Sequence, residues 1–176
     1  MVNFSVAIEI NERCHGEWHV NSLPTMEAFA DFQRAQESGS AIEILIRVLH
    51  VYHKVIGPNN IRTTTCLHYL GKAHAAERNY TLAIENYVKA TDIVELYLGV
   101  DHIKGAEIMK DLGEVYLTTS RPEMARDMLV RAERAFRTTF LGDHVRVRET
   151  GDILRKIEES TSMGEGVYTT AETKSE

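Results

Sequence analysis

Cysteine is scarce in this chain: Cys14 and Cys66 are the two among 176 residues. Two isolated cysteines do not make a disulfide framework, so a reducing compartment is expected. No apolar run approaches about 18 residues, which excludes an ordinary membrane-spanning helix. The N-terminus lacks a basic stretch followed by an apolar core, so no secretory leader is expected. Basic residues are in deficit, with 20 Lys and Arg against 26 Asp and Glu. The resulting charge of −6 argues against nucleic acid or an anionic membrane as partner. There is no Gly-x-Ser-x-Gly, phosphate loop or dinucleotide fingerprint, and Gly164-Glu165-Gly166 has neither a strand nor a helix start beside it. One cluster, Cys14-His15 with His19, has metal-ligand character, but structural zinc takes four ligands and no second pair accompanies it. Neither catalysis, a cofactor nor a metal is therefore expected.

What the chain does have is a period. Ile61, Ile103 and Val145 stand 42 residues apart, as do Leu70, Leu112 and Leu154, and Ala41, Ala83 and Ala125. A glycine-containing punctuation follows along, Gly57-Pro58, then Gly99-Val100-Asp101-His102, then Gly142-Asp143-His144, with Asp101-His102 and Asp143-His144 standing 42 residues apart. A fixed period of this size marks stacked helical repeats, whose usual work is to hold partners.

Local patterning divides the chain into an extended arm over 1–24, a helical repeat domain over 25–159 and a disordered acidic tail over 160–176. In the arm, Val2, Phe4, Val6, Ile8 and Ile10 alternate with Asn3, Ser5, Ala7 and Glu9, the period of a strand. Such an arm either lies along the helices or adds to a partner's sheet edge. Helices are expected over about 25–36, 41–55, 61–78, 80–98, 103–119, 122–140 and 145–159. Gly57-Pro58 stops the second of these, and Pro122 suits the first turn of the sixth. The fold class is thus all-α, a solenoid of about three antiparallel helix pairs plus a final helix.

Each pair carries the same parts. Leu70-Gly71 and Leu112-Gly113 sit midway along first helices, the leucine filling the core and the glycine admitting the second helix. Ala83 and Ala90, matched by Ala125 and Ala132, flank Tyr87 and Leu129 on the second helices, a small–large alternation that stacks helices without voids. Cys66 is expected to be packed rather than reactive, and His50 and His53 to lie on a helix surface. His102 and His144 repeat in phase and read as structural, with Asp101 and Asp143 as the expected helix caps.

These residues resemble the tetratricopeptide repeat pattern, and the 42-residue period, against the usual length of about 34, is similar to the repeats of kinesin light chains. The resemblance implies a protein-binding scaffold whose first helices line a concave face. On that basis Thr65, His68, Lys72, Ala76, Glu107, Lys110, Glu114 and Thr118 are the candidate partner-binding residues. Kinesin light chains place asparagines just before the core leucine to grip a peptide backbone. Here His68-Tyr69, Lys110-Asp111 and Asp152-Ile153 stand there, so partner chemistry is to be sought where the repeats differ. The layout of Leu98 to Glu159 also resembles the C-terminal helical domain of SET- and MYND-containing methyltransferases. The expected partners are proteins, engaging the groove as a peptide or helix or packing on the ends of the stack. Apolar Phe29 and Phe32 at one end and Val147, Ile153, Leu154 and Ile157 at the other are candidates for end packing. The expected location is cytoplasmic, including a cytoskeletal or ciliary assembly.

Overall fold

The computed structural model describes residues 24, 28, 40–140 and 144–168, with side chains through residue 159. The arm, nearly all of the first expected helix, Asp143 and the Cys14-His15-His19 cluster lie outside the described residues. Among the described residues the chain forms six helices and no strand: α1 (Ser40–Ile56), α2 (Thr63–Ala76), α3 (Tyr80–Leu98), α4 (Ile103–Thr118), α5 (Pro122–Thr139) and α6 (Val145–Tyr168). The expected all-α repeat architecture is what is observed. The chain divides into two compact units, Met1–Val100 with α1 to α3 and Asp101–Glu176 with α4 to α6. The division falls at the start of a repeat.

In the first unit, Ala41, Leu45, Val48 and Tyr52 form a buried stripe along α1, at the spacing of one helix face. Gly57 ends α1 at φ 88°, a conformation that glycine adopts without a Cβ penalty. Asn60 organises the turn into α2: its carbonyl accepts from the Thr63 hydroxyl at 2.7 Å and its side chain from the Arg62 amide at 3.0 Å. The fully buried Cys66 thiol donates to the Leu45 carbonyl at 3.2 Å, tying α2 to α1. That role accounts for its burial and matches the packed reading.

The α2–α3 contact is a lock. A Cβ on Gly71 would stand 2.5 Å from Tyr87 Cε1, so the glycine is the seat of the tyrosine ring. Ala83 and Ala90 are fully buried on either side of Tyr87. The second unit repeats the device with a smaller bolt: a Cβ on Gly113 would meet Leu129 Cγ at 2.8 Å, between buried Ala125 and Ala132. Both pairs turn through the same Schellman geometry. Asn79 N–H donates to His74 and Arg78 N–H to Ala75; Arg121 N–H donates to Tyr116 and Ser120 N–H to Leu117.

Two details differ from the sequence reading. Asp101 does not cap α4. The His102 Nδ1 atom accepts from the Lys104 amide at 3.2 Å, and His144 Nδ1 accepts from Arg146 in the same way. Asp101 is instead drawn to Arg134, whose guanidinium donates to it at 2.7 Å. An ion pair to a guanidinium competes better for a carboxylate than a helix amide does, and the ring in phase takes the cap. The last helix also runs past Glu159 to Tyr168. No proline interrupts 160–168, and the backbone there stays helical despite its Gly- and Thr-rich composition.

Candidate interaction surface

Thr65, His68, Lys72 and Ala76 follow one another along one stripe of α2. The first three are half-buried and Ala76, at the helix end, is exposed. His68 is held edge-on to Tyr87, with ring centroids 5.8 Å apart. The stripe therefore presents groups whose bases are pinned by the α2–α3 lock.

On α4 the equivalent stripe is Glu107, Lys110, Glu114 and Thr118. Its charges are engaged inside the second unit. Glu107 pairs with Arg146 of α6. Lys110 lies 3.2 Å from Glu114 and 3.9 Å from Glu149 of α6. The Thr118 hydroxyl donates to the Glu114 carbonyl at 2.9 Å. In this unit the first helices use the stripe to hold one another, and a partner would have to displace or extend these pairs.

Of the apolar residues expected to remain open at the C-terminal end, Leu154 and Ile157 are buried in the second unit, and Val147 and Ile153 are half-buried. They seat α6 on its neighbours instead of facing out. The fully buried Thr150 hydroxyl closes onto the Arg146 carbonyl at 2.8 Å, and His144 stacks on Phe140 at 3.6 Å. Phe29 and Phe32 lie outside the described residues.

Sequence reading missed a cleft between α5 and α6. It has a volume of about 470 Å³, with Val130, Val147 and Leu154 on its floor and Arg137, Asp152 and Arg155 on its rim. The signal was present in the register, since Arg155 stands where Gly71 and Gly113 stand in the earlier repeats.

Titration is perturbed at two histidines. Burial holds His74 below its ordinary value, partly offset by Glu77. Burial also lowers His53, helped by His50 and by Lys89 of α3. The buried His74 Nδ1 and Thr91 hydroxyl have no hydrogen-bond partner. No group of three or more His, Cys, Asp or Glu among the described residues is placed to hold a metal. No described helix is long and apolar enough to cross a membrane.

The glycine-seated helix pairs build a tetratricopeptide-like helical-repeat fold. The tetratricopeptide repeat family model matches residues 67–138, and the structural neighbours have kinesin-light-chain-like repeats of this type. One is a kinesin light chain from Podosopora anserina with nearly identical TPR-like repeats (TM-score 0.74, 16% identity, 82% of this chain and 69% of that one). Another is BtubC (BKLC) from P. vanneervenii (TM-score 0.65, 14% identity, 88% of this chain and 66% of that one). At these identities the likeness concerns fold. In sequence, the chain is 26% identical over 132 residues to the human clustered mitochondria protein homolog, covering 72% of this chain and 10% of that protein. The chain thus spans about a tenth of the length of that relative.

Proposed function

We propose that the chain is a non-catalytic protein–protein interaction scaffold, a subunit or adaptor of a larger assembly. The cytoplasm, the cytoskeleton or a cilium is the kind of setting it suits. The observation that carries this reading is a set of apolar residues that keep the repeat period yet stay outside the core. Ile46, Val88 and Val130 stand 42 residues apart on α1, α3 and α5 and are 51%, 38% and 46% exposed. Recurrent apolar exposure of this sort marks interaction surface more than scattered surface leucines do.

A second reading, a groove receptor for a short linear peptide, is favoured by the α2 stripe. Thr65, His68 and Lys72 offer polar groups on a rigid helix pair. The mixed charges of the α4 stripe suit a segment carrying both acidic and basic groups. Crosslinking mass spectrometry on the complex from its native source separates the two. Crosslinks from Lys54 and Lys89, beside the exposed apolar residues, support the scaffold faces. Crosslinks from Lys72 and Lys110, together with loss of capture on their replacement by Glu, support the groove. A chain that purifies alone with only internal crosslinks overturns both.

A further inference from the structure

The first helices α2, α4 and α6 are entered through one device, carried at the 42-residue interval by Asn60, His102 and His144. In each case the side chain accepts the backbone amide two residues on. Asn60 Oδ1 takes the Arg62 N–H at 3.0 Å, His102 Nδ1 the Lys104 N–H at 3.2 Å, and His144 Nδ1 the Arg146 N–H at 3.2 Å. The backbone carbonyls of the same three residues accept from the turn that follows, from Thr63, Ala106 and Val147. The geometry is shared across the repeats, and the chemistry of the acceptor changes.

The two acceptors differ toward protons. An amide oxygen accepts at any ordinary pH. An imidazole accepts at Nδ1 only as the neutral ring, with its one proton on Nε2. A second proton makes both nitrogens donors, which removes the cap and sets a positive charge against the positive end of the helix. Histidine is the side chain that ordinarily changes charge between about pH 5 and about pH 8. Both rings are half-buried, within reach of solvent.

The carboxylates that would favour a charged ring are engaged elsewhere. Asp101, next to His102, is held by Arg134 of α5 at 2.7 Å. Glu107 of α4 is paired with Arg146, two residues after His144. The cations of Lys104, Arg146 and Arg148 stand in the same first turns and oppose a further positive charge. Phe140 acts the other way at His144, since its ring stacks there at 3.6 Å and a π face attracts a cation. Asp143, beside His144 in sequence, lies outside the described residues.

We propose that His102 and His144 are acid-sensitive caps, which release the first turns of α4 and α6 as the pH falls while Asn60 holds the start of α2. The helix uses the neutral ring, so proton uptake favours the open turn. The caps are complete above about pH 7.5 and weaken toward about pH 5.5. Phe140 makes His144 the more tolerant of the two. The effect reaches the α4 stripe, because the residue whose amide His144 holds is the one whose side chain pairs with Glu107. Opening the first turn of α6 frees that carboxylate. This regulation goes beyond the scaffold reading and does not depend on it.

The test is an NMR titration of the whole chain from about pH 7.5 to about pH 5.5. It follows the ring protons of His102 and His144 together with the amides of Arg62, Lys104 and Arg146. The Lys104 and Arg146 amide protons should move upfield as the ring bonded to each gains its proton, and the Arg62 amide should stay in place. Exchange of those two amides with solvent should quicken by roughly fivefold relative to Arg62, the loss of one cap. His102→Asn with His144→Asn should make both amides indifferent to pH. Asn60→His should bring the Arg62 amide into the titration. Rings that gain a proton while their amides stay fixed overturn the proposal, because the caps then hold no part of the helix start. Rings that stay neutral through the whole range overturn it too, as do amides that still move in the doubly substituted chain. Each reading is local, so the buried His74 does not enter it, and the crosslinks that test the scaffold reading are unaffected by either result.

Discussion

Arg78 and Ser120 sit 42 residues apart in the left-handed region, at φ 61° and 58°, and neither is a glycine. For a residue with a Cβ that conformation costs about 1–2 kcal/mol, which the two Schellman hydrogen bonds of each turn offset. Replacing Ser120 by Gly should raise stability by roughly 0.5–1 kcal/mol, the relief of strain exceeding the added freedom of the unfolded chain. Urea unfolding followed by circular dichroism gives the sign, and an unchanged or lower midpoint refutes the strain argument. His74 is the second residue whose cost is local. Burial holds its folded-state pKa below the ordinary 6.5, so the unfolded chain binds the proton first. Stability is then full above about pH 6.5 and falls as the pH is lowered through the unfolded value toward the folded one. Tm measured from about pH 7.5 down to about pH 5.5, a window around that value, should decline, and His74→Phe should flatten the decline. A ring at this position is already built into the fold, since Tyr116 occupies the next repeat.

At the scale of the helix pair, the glycine seat decides the geometry. Gly71→Ala would put a methyl 2.5 Å from a ring that is almost wholly buried and cannot swing out. The helices must part, at a cost of about 1–3 kcal/mol, read as a lower urea midpoint. A Gly71→Ala variant as stable as the parent would show that the pair is loosely packed. The pairing of Leu70-Gly71 with Ala83, Tyr87 and Ala90 was legible in the sequence, because the same small–large pattern recurs at one interval in the next repeat. The caps were not. Asp101 next to a helix start reads as a cap, and only the approach of Arg134 from α5 takes that carboxylate away. Helix α6 shows the same limit. Its Leu154 follows the core phase, but its neighbour Arg155 stands where the earlier repeats have glycine, and the cleft between α5 and α6 is visible only once the two helices are placed together.

For the molecule as a whole, the question is which surface remains after each unit has satisfied itself. The α4 stripe is largely consumed by Glu107–Arg146 and Lys110–Glu149 pairing. Exposed ion pairs of this kind contribute at most about 1 kcal/mol each, so they orient the first helices more than they stabilise them. The apolar surface is concentrated elsewhere, with Leu96 73% and Tyr97 53% exposed at the end of α3. A chain that meets its partners through such residues should self-associate in isolation. Light scattering should report an apparent mass that rises with concentration, and Leu96→Glu with Tyr97→Glu should return it to the monomer value. A parent chain already monomeric at high concentration would move the interaction away from this end.

Sequence alone specifies the repeat, its length, the all-helical class and the residues that lock each pair, because helix periodicity and side-chain volume are local quantities repeated in phase. Tertiary packing settles which charges are neutralised between helices, which histidine nitrogens cap, that Leu154 and Ile157 are buried, and that a cleft lies between α5 and α6. Those are facts of distance between segments far apart in the chain, and a one-dimensional pattern carries no distance.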